Sequence, residues 1–339
     1  MTVLFLGDIA ADVGASGLSD DSVTTAAFDS AYSLGCISAL NSVGNGAASP
    51  NITLGGSLMS APTTSFWLHW HLYKLNFDSY TGGGYVTYLS LKNPSGVEVA
   101  RVEAYQNGAN QFRVVAVGDT TVNSANVVCA PSGKADYDVV VTGGSTMVIS
   151  LYKNGVLQAT ASAANTTGAK AIPKSFYFTH AGCWQSNSTT NVIAYSEIIA
   201  TDGESTIGWR LSTQKPNAAG NYSAWTGNYS QLGDLNAATA AASGIAAQRV
   251  SSALSAYAGP ASPTSIRGVF GKSLGSKGAS GPQHLNQFLR ISGANYDGGA
   301  VSPDGVSQMI QEWSVNPATS AVWATTDLSG LELGLLSAT

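Results

Sequence analysis

Short apolar-rich runs separated by turn residues recur along the chain, and this spacing limits the fold more than any other feature. Eight of them occupy the first 201 residues: SFWLHWHLYKLNF (65–77), GYVTYLSLKN (84–93), EVARVEAYQ (98–106), QFRVVAVG (111–118), YDVVVTGG (137–144), TMVISLYKNGVLQATAS (146–162), KSFYFTHAG (174–182) and NVIAYSEIIAT (191–201). Phe66, Leu68, Trp70 and Leu72 alternate with Trp67, His69 and His71, a period of two that puts the first set on one face of a strand. Asn154-Gly155 lies between two apolar runs and supplies the positive φ values of a two-residue type I′ hairpin. Strands at intervals of about 8–12 residues with no helical period between them predict an antiparallel sandwich or barrel.

The texture changes at TDGESTIG (201–208). A Gly/Asn/Tyr-rich stretch follows, then an Ala/Ser-rich segment (236–262), then strand-like runs at 264–273, 284–293 and 307–315 and a closing alternation, Leu331 to Leu336. Alanine favours a helix over 237–258. Gly244, Val250, the scattered serines and the lack of a charged face favour strand and loop there instead. The expected fold is all-β, with two antiparallel β-sandwich (jelly-roll or lectin-like) domains at 1–203 and 204–339.

Only 10% of the residues are charged, against about 25% in typical globular chains, so Ser, Thr, Asn, Gln and Gly must cover the surface. A net charge of −5 with 15 Lys and Arg gives no basic footprint for nucleic acid. No apolar run approaches the ~18 residues of a membrane-spanning helix, so membrane insertion is not expected. The opening MTVLFLGDIAADVG has no basic region ahead of its short apolar run, so synthesis in a cytoplasm without a signal peptide is expected. Cys36, Cys129 and Cys183 show no C-x-x-C spacing and are expected to be free thiols. Five N-x-S/T sequons (Asn51, Asn165, Asn187, Asn221, Asn228) are expected to reflect a polar surface and not glycosylation.

The catalytic constellations fail one after another. Gly271-Lys272-Ser273-Leu274-Gly275 matches a nucleophile elbow, but SKGASGP cannot begin the helix that motif needs, and a phosphate-binding loop would require a glycine where Ile266 stands. His69 and His71 share a strand face and could begin a metal site, yet no third ligand sits at a suitable spacing, and polar filler on a sheet accounts for them. Glycoside hydrolysis needs two carboxylates flanking one bond. Glu98 and Glu103, five apart, point to opposite faces, and Asp136 and Asp138 stand at a strand entry where turn roles suffice. Asp8, Asp12, Asp20, Asp21 and Asp29 fit no calcium-loop spacing and are read as solvated turns. No metal, cofactor or catalytic residue is expected. Aromatic residues in turns remain as contacts for glycan or protein: Trp184, Gln185 and Asn187 in GCWQSNSTTN, and Tyr222, Trp225 and Tyr229 in NYSAWTGNYS. Packing at a domain junction explains the second group equally well.

Residues 1–200 resemble a concanavalin A-like (laminin-G-like) sandwich in the order of their strands, from Ser65–Asn76 through YLSLKNPSGVEVARVE and LYKNGVLQATAS to NVIAYSEIIATD. GWRLSTQKPNAAGNYSAWTGNYSQLGDLN, GPQHLNQFLRISGANYDG and EWSVNPATSAVWATTDLSGLELGLLS are similar to a module in structural proteins of tailed bacteriophages, with Asn316-Pro317-Ala318-Thr319, Trp323 and Asp327-Leu328 the most specific part. The resemblance implies a non-enzymatic virion component, such as a tail fibre, head spike or other appendage. It would assemble with copies of itself (a trimer, for example) and with other virion proteins, and it would contact host surface glycans. The alternatives are a free carbohydrate-binding, lectin-like module and a polysaccharide-degrading appendage.

Overall fold

Trp70 lies fully buried at the centre of the first half of the chain, stacked on Tyr137 at 5.4 Å and edge-on to Phe178 at 5.2 Å. The alternation in residues 66–72 puts it there, since Phe66, Leu68 and Leu72 are buried with it. The computed structural model describes residues 2–7, 10–13, 19–21, 32, 36–41, 52–58, 60–74, 84–105, 111–128, 133–180, 191–233, 239–303 and 305–339. It divides into two compact units, Met1–Leu211 and Ser212–Thr339.

The strands of the first unit are β1 (Thr2–Gly7), β2 (Ser19–Asp21), β3 (Cys36–Asn41), β4 (Ile52–Ser57), β5 (Ser65–Lys74), β6 (Tyr85–Lys92), β7 (Glu98–Tyr105), β8 (Gln111–Val117), β9 (Thr121–Asn123), β10 (Val127–Val128), β11 (Gly133–Thr142), β12 (Thr146–Lys153), β13 (Val156–Ala164), β14 (Ser175–His180) and β15 (Asn191–Asp202). An eight-stranded sheet runs β13-β12-β11-β5-β15-β3-β2, with β1 also on β15; a seven-stranded sheet runs β10-β8-β7-β6-β14-β4, with β9 on β8. Their facing sides supply one core, in which Leu68, Trp70, Tyr137, Val139 and Ile149 of the first sheet belong to the same cluster as Tyr88, Val102, Phe112, Phe176 and Phe178 of the second. The β12–β13 hairpin turns on Asn154 (φ 49°) and Gly155 (φ 77°), the two positive φ values expected from the dipeptide.

A bulge corrects one expectation. Leu91 pairs with Ala100 but the next residue, Lys92, pairs with Glu98, so β7 carries an extra residue and both Val99 and Ala100 are buried. The bulge reverses the alternation. Glu98 and Glu103 therefore share the outer face, where Arg101 joins them at 2.8 and 2.6 Å. The Asn165 sequon is likewise not at the surface. Its side chain is buried and committed, donating to the carbonyls of Gly144 and Lys170 and accepting from the Lys170 amide.

The second unit contains β16 (Pro216–Ser223), a short helix α1 (Tyr229–Gly233), β17 (Arg249–Leu254), β18 (Val269–Gly275), β19 (His284–Ile291), β20 (Ala294–Val301), β21 (Ser307–Trp313) and β22 (Glu332–Ala338). A five-stranded antiparallel sheet, β16-β17-β22-β19-β20, accompanies the β18–β21 pair. Its core holds Leu289, Ile291, Trp313, Trp323, Leu328 and Leu331. Asn316 accepts from the Ala318 amide, Trp323 donates to the Trp313 carbonyl, and Asp327 accepts from the Ala324 amide. The NPAT…W…DL pattern thus builds a turn and its anchor. Residues 239–258 form turns and β17, not a helix. No helix among the described residues is long and apolar enough to cross a membrane.

Truncating Trp70 to alanine removes the largest fully buried side chain of the sandwich and should cost about 3–5 kcal/mol. Denaturant unfolding followed by hydrogen exchange should show the loss in the β5 and β11 amides and not in β17 or β22.

Candidate functional site

Antiparallel pairing of β5 with β11 sets Asp138 opposite His69 and Asp136 opposite His71. Directly opposed residues on one face are close enough to bond. His69 Nδ1 lies 2.9 Å from Asp138 Oδ1, and His71 Nδ1 lies 2.6 Å from Asp136 Oδ1. An ionised carboxylate only accepts, so each Nδ1 carries the proton and donates it. The two Nε2 atoms are thereby turned away from β11. Asp136 and Asp138 lie inside a strand and orient imidazoles, which replaces the turn role expected of them; His69 and His71, read as polar filler on a sheet, are each bonded to one of these carboxylates.

The segment after β15 covers this face. Thr206 Oγ1 donates to Asp138 Oδ1 at 2.7 Å, and Ile207 comes close to Gly155. Arg210 clasps Glu197 through Nε and Nη2, each at 2.7 Å, and the Leu211 amide adds a third bond at 3.0 Å. Glu197 sits where the β5–β15 register slips between Ser196 and Ile199, with φ 54°. A non-glycine residue held in that left-handed region costs on the order of 1–3 kcal/mol and persists only where its surroundings impose it. Residues 203–211 thus form a strap that leaves His69, Asp138, Ser196, Glu197 and Thr206 essentially without solvent contact. At the other end of the cluster the side chain of Asp136 is 30% exposed, so His71 stands next to the open side.

Three carboxylates and one guanidinium share this space, so negative charge surrounds the His69 imidazole. Burial works to lower the pKa of His69, but the Asp138 hydrogen bond and the charges of Asp138, Asp136 and Glu197 outweigh it and hold the value above 6.5. Burial works to raise that of Asp136, and the His71 hydrogen bond with the charges of His69, His71 and Arg210 brings it below 3.8. Four buried atoms, His69 Nε2, His71 Nε2, Asp138 Oδ2 and Ser196 Oγ, have no hydrogen-bond partner among the described residues. Among the described residues no group of three His, Cys, Asp or Glu side chains could hold a metal. An imidazole whose Nδ1–H is fixed by a carboxylate and whose Nε2 is free has the form of a general base.

The residues singled out as glycan or interface contacts are scattered. Trp184, Gln185 and Asn187 lie outside the described residues, as do Cys129, Cys183, Asp8 and Asp29. Tyr222 packs edge-on against Phe288, and its hydroxyl accepts from Asn295. Tyr229 begins α1 and is 37% exposed. Trp225 is buried, its indole N–H fixed on the Gln248 carbonyl, and it lines a cavity of about 360 Å³ within the second unit. The same cavity is lined by Ser273 and His284. Gly271–Gly275 lies wholly in the antiparallel strand β18 and makes no elbow. The cavity and the His/Asp cluster are separate places, one in each unit.

No protein-family model matches the chain, and no curated protein matches it. Among solved structures it is similar to an endo-β-1,4-glucuronan lyase from the fungus Trichoderma reesei, at 11% identity and a TM-score of 0.41 over 59% of this chain and 96% of that one. It is also similar to a carbohydrate esterase from the Shiga toxin-encoding bacteriophage phi24B (10%, 0.37, over 60% and 99%) and to the CBM2 module of Lactobacillus casei BL23 phage J-1 evolved Dit (12%, 0.31, over 48% and 88%). Several alginate lyases match at similar levels. The likeness is a distantly shared β-sandwich fold. It corrects the expectation of a non-enzymatic phage-particle subunit: most of these matches are carbohydrate-active enzymes, so neither the virion, tail-fibre and spike labels nor a flat exclusion of catalysis is kept.

Two outcomes test the cluster. His69 is held above its unfolded pKa, so its stabilisation is complete below 6.5 and is lost as pH rises through the folded value. Asp136 is held below 3.8, so its contribution is present above that pH and is lost as pH falls through the folded value. Urea midpoints of the first unit should decline on both sides, and His69→Gln should flatten the alkaline decline. Arg210→Ala strands the buried Glu197 carboxylate and should cost about 3–5 kcal/mol in the same measurement.

Proposed function

We propose that the chain is a carbohydrate-binding, lectin-like protein whose sugar site is the cavity of the second unit. The lining of that cavity carries the reading. A sugar ring presents an apolar face of C–H groups and a polar rim, and it is met by an aromatic plane with a few hydroxyl, amide or charged groups around it. Trp225, with its indole already anchored, provides the plane, and Ser273, Gln231 and Gln283 are among the polar groups. The size lies within the ~300–1,000 Å³ of small-molecule pockets.

A second reading is favoured by His71. Its Nδ1 is held by Asp136 and its Nε2 is buried but has no partner among the described residues, beside the Asp136 carboxylate that meets solvent, so it could move a proton to or from a saccharide only where the ligand displaces the side chains that cover it.

Electrophoresis of the full chain through gels containing a panel of polysaccharides tests the binding. Retardation by one or more of them is expected, and Trp225→Leu, with thermal melting confirming its fold, should weaken it by about three- to tenfold. A wild-type chain that no polysaccharide retards would overturn the reading. Incubation with the same panel tests the second: new reducing or unsaturated ends should appear with the wild type and vanish in His71→Gln, and a wild type that releases none removes it.

A further inference from the structure

The charge in the second-unit cavity narrows the class of sugar, an inference that rests on the carbohydrate reading above. We infer that this cavity takes a saccharide bearing an anionic group, a carboxylate in the first place, held by Lys277, His284 and Ser273. The chain as a whole has more acids than bases, 20 against 15, yet none of the described residues lining the cavity is Asp or Glu. (Asp304, next to Pro303 in the sequence, lies outside the described residues.) Lys277 stands in that wall with the Ser302 hydroxyl, at 3.1 Å, as its partner and no carboxylate beside it among the described residues.

The commitments of the other polar groups sharpen the assignment. Gln283 donates to the carbonyls of Gly281 and Pro282, Gln231 accepts from the Asn228 amide, and Ser337 is bonded to the Ile245 carbonyl. Ser273 Oγ and His284 Nδ1, by contrast, are buried and have no partner among the described residues. Such groups are expensive to leave unsatisfied. An ammonium, a hydroxyl and an imidazole N–H can all donate, and one carboxylate has about four acceptor positions to receive them. Bonds from a cation to an anionic oxygen are roughly twice as strong as neutral ones, so the anion adds what a neutral sugar lacks, while Trp225 contributes to both equally.

Binding of the full chain to immobilised oligosaccharides of galactose and of galacturonic acid, with inorganic phosphate as a third probe, tests this. The acidic oligomer should bind about tenfold more tightly than the neutral one, and Lys277→Gln should erase that preference by weakening acidic binding far more than neutral binding. Ser273→Ala, which removes only a hydroxyl, should reduce acidic binding further. Lys277 is exposed, so its replacement leaves the fold intact, as a thermal melt would verify. Equal binding of the two oligomers, or preference for the neutral one, overturns the anionic assignment and leaves the carbohydrate reading standing. Failure of both to bind overturns both. Inorganic phosphate binding as tightly as the acidic oligomer would mean that the ring contributes nothing, and it too overturns the assignment.

Discussion

The outer face of the eight-stranded sheet is covered, yet it is lined with ionisable groups, and the first unit depends on how that conflict is met. Taking a charge out of water costs several kcal/mol, which is offset only by close, well-directed partners. Register provides these partners for the histidines, since Asp136 and Asp138 face His71 and His69 pair by pair. The strap provides them for the rest, with Thr206 on Asp138 and Arg210 on Glu197. β5, β11, β15 and residues 203–211 therefore have to agree with one another. A one-residue slip of β11 would move both aspartates to the apolar side.

The low charge of the chain takes on a different meaning in this light. The charges are few, but many of them are gathered into pairs: Arg101, Arg113, Arg210, Arg249 and Arg290 each meet a carboxylate. The cavity of the second unit stands apart because its lysine faces a hydroxyl.

What could be read from the sequence follows the range of the interaction behind it. Phe66 to Leu72 and Asn154-Gly155 were legible because period-two alternation and turn chemistry are written within a few residues. The sides taken by Glu98 and Glu103 were not, because one extra residue at the Val99–Ala100 bulge shifts everything beyond it. Both aspartates and both histidines stand out in the sequence, but their union does not, since it depends on the register of strands more than sixty residues apart. Glu197, Thr206 and Arg210 gave no local signal at all; the bulge that aims Glu197 and the strap that brings Arg210 to it arise only in the assembled sheet. In the second unit Trp225 stands out by its type among turn residues, whereas Ser273 and His284 become significant only through the partners they lack among the described residues.

The Asn165 side chain has a practical consequence for making the protein. In a secretory pathway, sequons are modified on the nascent chain, before the sandwich closes. A glycan placed there would occupy the nitrogen that binds the Gly144 and Lys170 carbonyls, and it would bring a bulky, hydrated group into a site with almost no room. Modified molecules would therefore stall before closing the loop between β13 and β14, whereas a bacterial cytosol leaves the same asparagine free to fold inward. The choice of expression host, ordinarily a matter of yield, here decides whether the first unit can form.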